Sequence, residues 1–348
     1  MPSDSLNFLD AVAGLPEQLA AAHEAAAIVP ADLLPKVDTI RNLVVLGMGG
    51  SGIAGDVVSA AFNDELAVPL NVLKQIRTPA YVGPNTLAFA LSYSGDTEET
   101  LSMSRSALES GAQLVAVSCG GELETLARDA GALHLRCPPG FLPRAAVGAL
   151  VAPLCTVLYR LGLAPGAHAL MMRAQQQLAQ RRDVCHPDID GQANPARELA
   201  RRIGRTIPLI YGGGAIGAVA AYRWKCDVNE NAKAPAFWHT YPELTHNEIC
   251  AWGQHGDVTR QLISLVELRH GFEHPRLRLR FDITRQIIEE CVHQVLTLDA
   301  RGEGRLAQLL DLMYVGDWTS CYLALQNDVD PGPIDAIVEL KSKLAAMP

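Results

Sequence analysis

Twice in this chain a short apolar run ends in a cluster of glycines and passes directly into a helical stretch. The first is Val44-Val45-Leu46-Gly47-Met48-Gly49-Gly50-Ser51-Gly52 and the second is Leu209-Ile210-Tyr211-Gly212-Gly213-Gly214-Ala215-Ile216-Gly217. Strand, glycine turn, helix is how a parallel α/β unit opens, because parallel strands must be joined by a crossover that is usually helical. Its return in the second half reads as an internal duplication. Further strands are expected at 70–73, 86–91, 114–118 and 132–135, with helices at 97–110 and 122–129 between them. After the second glycine run, strands are expected at 262–268 and 292–298, and helices at 285–290 and 306–326. One or two helices precede Pro30, a bridge covers 165–183, and a last helix follows Pro331 and Pro333 to about Leu344. The expected architecture is α/β, with two tandem doubly wound subdomains, parallel sheets flanked by helices, divided as 1–150 and 151–348.

With 348 residues the chain can bury a core in each half. A formal net charge of −9 argues against nucleic acid or an acidic membrane surface as the main partner, while leaving room for a locally held anion. The eight cysteines are scattered without a C-x-x-C pair, which suits thiols in a reducing, cytoplasmic compartment. The apolar run from Ala145 to Tyr159 lies between Arg144 and Arg160, too short to span a bilayer and consistent with a buried helix.

Both glycine runs match G-x-G-x-x-G, the loop of dinucleotide sites. Such sites need an acid about twenty residues on to hold the ribose hydroxyls. The first unit offers Asn71, Val72, Leu73 and Lys74 instead, so no dinucleotide cofactor is expected. Gly212 to Gly217 carries no hydroxyl and reads as a sharp strand-to-helix turn. The first unit differs at the end of its third strand, where Ser92-Tyr93-Ser94-Gly95-Asp96-Thr97-Glu98-Glu99-Thr100 stands. Alternation puts Ser92 and Ser94 on one side, Gly95 permits a tight turn, and Thr97 opens a helix whose first amides carry partial positive charge. Hydroxyls with helix amides make a phosphate cradle that needs no lysine. The plainer alternative is that Thr97 or Asp96 merely caps the helix. Ser51, reaching in from the neighbouring glycine loop, favours phosphate.

The serine-rich loop resembles the phosphosugar-binding loop of the sugar isomerase (SIS) domain. Gly47 to Gly52, Pro143-Arg144-Ala145, Asn229-Glu230-Asn231-Ala232-Lys233 and Thr245-His246-Asn247-Glu248-Ile249 are similar to signatures of its bifunctional phosphoglucose/phosphomannose isomerase branch. The resemblance runs through both halves in matching order. It implies two SIS-type subdomains and metal-free, cofactor-free conversion of glucose 6-phosphate or mannose 6-phosphate to fructose 6-phosphate. It also implies that Ser51, Ser92, Ser94 and Thr97 bind the phosphate, with Gly49 and Gly50 allowing close approach. Arg144 would stand by the enediolate, Glu230 would be the base, and His246 would open the sugar ring. Lys341, with Lys343 as the alternative, would be the lysine of the last helix. Family members are dimers in which that histidine reaches the neighbouring subunit's site. Asp330-Pro331-Gly332-Pro333 departs from the family, which often places threonine between the prolines; this implies a roomier pocket and leaves the glucose–mannose balance open.

The chemistry needs those residue types. Moving a proton between C2 and C1 requires a base, an electrophile for the developing oxygen charge, and a donor for the ring oxygen. Each candidate has a plain alternative: Glu230, read as following a helix that carries Arg223 and Lys225, as a solvated glutamate; Arg144 as a surface helix start; His246 as a structural histidine. His239, His246 and His255 lack the spacing of a zinc site. A non-catalytic sugar-phosphate sensor would keep the serine loop but need neither Glu230 nor His246, and an isomerase of another phosphosugar is the remaining competitor.

Overall fold

The protein, seen in a computed structural model that describes residues 4–346, contains two sheets whose strand pairs are all parallel. The first comprises β1 (Asn42–Leu46), β2 (Leu70–Leu73), β3 (Thr86–Leu91), β4 (Gln113–Ser118) and β5 (Leu133–Arg136), in the order β2-β1-β3-β4-β5. The second comprises β6 (Ile207–Gly213), β7 (Phe237–Tyr241), β8 (Ile263–Arg269) and β9 (Gln294–Asp299), in the order β7-β6-β8-β9. Helices separate the strands and cover the faces, and so β3 is buried at every residue instead of alternating. Val44, Leu46, Ala88, Ala90, Met103, Leu114, Ala116 and Leu123 pack in the first core; Leu209, Tyr211, Leu265, Phe281 and Ile288 pack in the second.

The chain forms two compact units, and neither is continuous in sequence. One holds Gly14–Ala179 and Arg301–Leu310; the other holds the N-terminal segment to Ala13, Gln180–Ala300 and the chain from Asp311 onward. They are called here the first and second unit. The division expected at 150/151 falls inside the buried helix Val147–Arg160, which begins after a 3₁₀ turn at Pro143–Ala145. That helix packs against Leu15–Ala27 and Gly49–Phe62, placing it wholly in the first unit.

Most expected elements lie within two residues of their observed ends. The helix after the first glycine run begins inside the run, at Gly49. Several segments escaped the sequence reading, the short helices Pro195–Ile203 and Gly256–Leu262 among them. The edge strand β7 follows Pro235 and is aromatic, with Phe237 and Trp238 exposed, so it lacks an apolar period. The helix expected at 285–290 spans Pro275–Ile288. Its first turns, Arg276-Leu277-Arg278-Leu279-Arg280-Phe281, alternate like a strand, but Pro275 at the first position and the His274 ring accepting from the Arg276 amide at 3.1 Å set a helix. Among the described residues no helix is long and apolar enough to cross a membrane.

Candidate active site

In the first sheet the strand order reverses between β1 and β3, and the crevice beyond their carboxyl ends is where doubly wound folds hold ligands. The glycine run leaves β1 there and the serine loop leaves β3 there. The helices that follow, Gly49–Phe62 and Glu98–Glu109, both begin without a side-chain cap, at Met48 and Thr97 respectively. Thr97 therefore does not cap its own helix, and Asp96 is turned away, its Oδ1 accepting from the Glu122 amide at 2.9 Å. The capping alternative fails for both residues, and the amide-bearing helix ends stay open.

Ser92 is fully buried and organises the turn. Its Oγ accepts from the Gly95 amide at 3.1 Å and, more weakly, from the Thr97 amide at 3.4 Å. It also lies 2.8 Å from Thr97 Oγ1. A hydroxyl has two acceptor positions and one proton, so with both positions filled Ser92 donates to Thr97. The Thr97 proton is thereby turned outward. Ser94 is exposed; its Oγ accepts from the Asp96 amide at 3.2 Å and donates to no protein group among the described residues. Gly95 has φ +84°, and a Cβ there would stand 1.8 Å from Gly120 O, so only glycine fits against the loop after β4. Gly49, with φ +51°, and Gly50 begin the neighbouring helix, and Ser51 sits buried in its first turn.

The sequence reading missed a cation here. Lys74 follows β2, which pairs with β1 at Leu46↔Leu73. Its side chain crosses the glycine run, Cε standing 2.9 Å from where a Gly52 Cβ would be, and its ammonium pairs with Asp56. Burial raises the Asp56 carboxyl above its ordinary range, and Lys74 opposes the rise. Strand order, invisible without the sheet, was the signal that would have found it. Arg144 is buried within the Pro143–Ala145 turn of this same unit, so it is no surface helix start.

In the second unit Glu230 lies in the last turn of the helix Gly214–Asn231, not after it. Arg223 anchors that helix. Its Nε lies 2.8 Å from Asp227 and its Nη2 2.8 Å from Asp317, with all three side chains almost wholly buried. Burial drives the Asp227 carboxyl well upward, against the pull of Arg223. Both neighbours of Glu230 are tied down: Asn231 Nδ2 donates to Ser320 Oγ at 2.9 Å and Asn229 Nδ2 to Ala234 O at 2.8 Å. Lys233 Nζ then donates to Asp330 O at 2.6 Å and Pro331 O at 3.1 Å. Glu230, half-buried, lines a cavity of about 340 Å³ with Lys233, Pro333, Ile334 and Ile337. It thus lines a pocket from a helix turn whose flanking side chains are tied down, and is not fully exposed.

The last helix, Asp335–Ala345, is exposed, Lys341 and Lys343 included. Lys341 stands one turn beyond Ile337 on the same face, whereas Lys343 points elsewhere and pairs with Glu339. Gly332 does not open the pocket. A Cβ there would meet Leu6 Cβ at 2.9 Å and Cγ at 3.0 Å, so Leu6 occupies the space that the missing threonine was expected to vacate. His246 is exposed at the end of the 3₁₀ turn Glu243–His246, and its ring makes no hydrogen bond or ion pair among the described residues. His239 faces Glu248 at 4.0 Å. Among the described residues no group of three or more His, Cys, Asp or Glu is arranged around a metal position. The second glycine run is steric, as expected: a Cβ on Gly212 would lie 1.9 Å from Gly217 O.

The SIS domain family model matches residues 39–158, and the bacterial phospho-glucose isomerase C-terminal SIS domain model matches 192–344. A bifunctional phosphoglucose/phosphomannose isomerase of Caldicellulosiruptor bescii is 34% identical over 97% of this chain and 99% of its own length. The chain belongs to that family. A second relative of the same name, from Aquifex aeolicus, is 31% identical over 90% of this chain and 93% of its own. Among solved structures, a Thermus thermophilus protein described as hypothetical superposes with a TM-score of 0.74 at 17% identity, covering 98% of this chain and 90% of that one, which speaks for the fold alone. The family models fall on the two sheets, so the expected pair of SIS subdomains with parallel sheets is the architecture found.

Proposed function

We propose that this protein interconverts glucose 6-phosphate and mannose 6-phosphate with fructose 6-phosphate through an enediol or enediolate. The observation that carries the reading is the pair of uncapped helix N-termini at the switch point of the first sheet, with the hydroxyls of Ser51, Ser94 and Thr97 beside them. Amides and hydroxyls there suit a dianionic 6-phosphate, with Gly49 and Gly50 admitting it closely and Ser92 holding the turn. Glu230 takes the proton from C2 of the open-chain aldose and returns it to C1. Arg144 stabilises the charge on the enediolate oxygen, Lys341 adds positive charge from the last helix, and His246 protonates the ring oxygen during opening. No step is assigned to a metal or cofactor. The exposed, unpartnered ring of His246 supports a homodimer in which it serves the neighbouring subunit's site, and the eight free thiols support a cytoplasmic location.

Glu230→Gln keeps the volume and removes the charge. Turnover of glucose 6- and mannose 6-phosphate is expected to fall about 10²–10⁴-fold, the span of a positioned general base. Fructose 6-phosphate binding should persist, and chelators should leave the wild-type rate unchanged. Near-normal isomerisation by Glu230→Gln would overturn the mechanism. A panel that adds arabinose 5-phosphate and glucosamine 6-phosphate decides the substrate class, and turnover of neither hexose phosphate would overturn the function.

A further inference from the structure

Between the two serines of the phosphate loop, Tyr93 points the opposite way, and nothing in the proposed chemistry uses it. Its ring is buried, 5% exposed. The phenol oxygen donates to Pro138 O at 2.8 Å and accepts from the Phe141 amide at 2.8 Å. One oxygen thus clips both ends of the segment 138–141, with the Phe141 ring centred 6.3 Å from that of Tyr93. No other side chain hydrogen-bonds to residues 138–142 among those described. That segment leads into the Pro143–Ala145 turn, and Arg144 stands three residues past the clip.

The other end of Tyr93 is equally fixed. Its carbonyl accepts from the Cys119 amide at 2.8 Å, and the preceding Ser92 amide donates to Val117 O at 3.1 Å. The backbone is therefore pinned to β4 while the side chain pins the approach to Arg144. Burial raises the phenol above its ordinary range, so it stays protonated and able both to donate and to accept.

We propose that Tyr93 is a positioning residue that sets the Arg144 guanidinium against the phosphate loop, so that the group binding C6 and the group facing the enediolate keep a fixed spacing. The inference rests on the isomerase reading of Arg144. A displacement of the order of 1 Å in a reacting group costs about 10²-fold in rate, whereas a phosphate held by Ser94, Thr97 and helix amides does not depend on residues 138–141.

The experiment is a double-mutant cycle of Tyr93→Phe with Arg144→Lys, the lysine leaving a measurable rate. Turnover and affinity for glucitol 6-phosphate, which has no carbonyl to react, are read in parallel. Tyr93→Phe is expected to lower kcat roughly 10- to 100-fold with glucitol 6-phosphate affinity within about twofold. In the Arg144→Lys background it should cost little more, because its effect passes through the arginine. Independent, multiplicative losses would overturn the inference, as would a loss of affinity in step with kcat. Wild-type turnover in Arg144→Lys and Arg144→Ala would sink the role of Arg144 itself. A loss there with normal Tyr93→Phe turnover would sink the Tyr93 inference alone. If Tyr93→Phe is unfolded at the assay temperature, ortho-fluorotyrosine at 93 keeps the shape and weakens the oxygen as an acceptor. It should lower kcat severalfold at unchanged affinity; an unchanged kcat would overturn the proposal.

Discussion

Ser92 and Ser94 lie two residues apart, yet their replacement by alanine should have opposite signatures. In Ser92→Ala the Gly95 amide keeps the Ser92 carbonyl at 3.0 Å, so it is not stranded. The Thr97 amide and hydroxyl lose their partner inside a loop whose centre is buried. The Thr97 hydroxyl bond, the weak Thr97 amide contact and the Oγ arm of the Gly95 amide are forfeited, about 1–2 kcal/mol of stability. For a unit of this size that lowers Tm by roughly 2–8 °C. In Ser94→Ala the exposed Asp96 amide turns to water, so stability should stay within about 0.5 kcal/mol. What is lost is a hydrogen bond to a dianion, about 1.5–3 kcal/mol, or roughly 10- to 150-fold in Kd. Calorimetric titration with glucitol 6-phosphate and with unphosphorylated glucitol, alongside thermal unfolding, separates the cases. If Ser94→Ala weakens the phosphorylated ligand less than twofold, the loop does not hold phosphate as argued. If Ser92→Ala loses affinity at an unchanged Tm, its hydroxyl faces the ligand and the internal role given to it is wrong.

Removing Arg223 should be costly for folding. Arg223→Leu strands Asp227 and Asp317 in the interior, and chemical denaturation at neutral pH should report about 3–5 kcal/mol lost. Asp227 already has a raised carboxyl, so the folded state binds more protons than the unfolded one, and stability falls as pH rises above about 4. The variant should show a steeper fall, and a pH-independent deficit below 1 kcal/mol would refute the buried triad. Gly332→Thr should destabilise by about 1–3 kcal/mol by displacing Leu6, with recovery in Gly332→Thr/Leu6→Ala; a stable single variant with an altered mannose-to-glucose ratio would restore the pocket-lining role. Lys341→Ala should slow turnover at least tenfold if its charge is used, on the scale of about 1.4 kcal/mol per decade. Lys343→Ala loses only an exposed pair with Glu339 and should leave turnover within twofold; the reverse pattern would exchange their roles.

The buried parallel strands were legible because both faces are covered: Thr86–Leu91 and Gln113–Ser118 read as short continuous apolar runs bounded by turns. The glycine and serine loops were legible because glycine and hydroxyls at a strand-to-helix turn leave few other readings. What escaped depended on neighbours distant in sequence. Lys74 approaches the glycine run only because β2 pairs with β1. Gly332 reads as open space only while Leu6, far from it in sequence, is not placed beside it. The sequence alone reads Glu230 as following a helix; with the side chains of Asn229 and Asn231 held by Ala234 O and Ser320, the helix runs through it. Ser92 was expected to bind phosphate because its type and parity matched Ser94; its bonds to Gly95 and Thr97, which the sequence could not show, also tie it into the loop.

The two halves share a strand order but differ in the loop that follows β3 in one and β8 in the other. The loop after β8 occupies the place in the second sheet that the serine loop occupies in the first, beside the strand that opens the unit. Protein groups fill it. Arg269 pairs with Glu273 at 2.9 Å and lies 4.0 Å over the Phe281 ring, while His270 Nε2 is 2.9 Å from Gly213 O. The following helix is capped by His274, where its counterpart after the serine loop has no side-chain cap. An anion would have to displace both the carboxylate of Glu273 and the imidazole cap, giving up bonds already made for ones no stronger. The second cradle is thus closed by its own side chains, which predicts one phosphate per chain, held by the first unit.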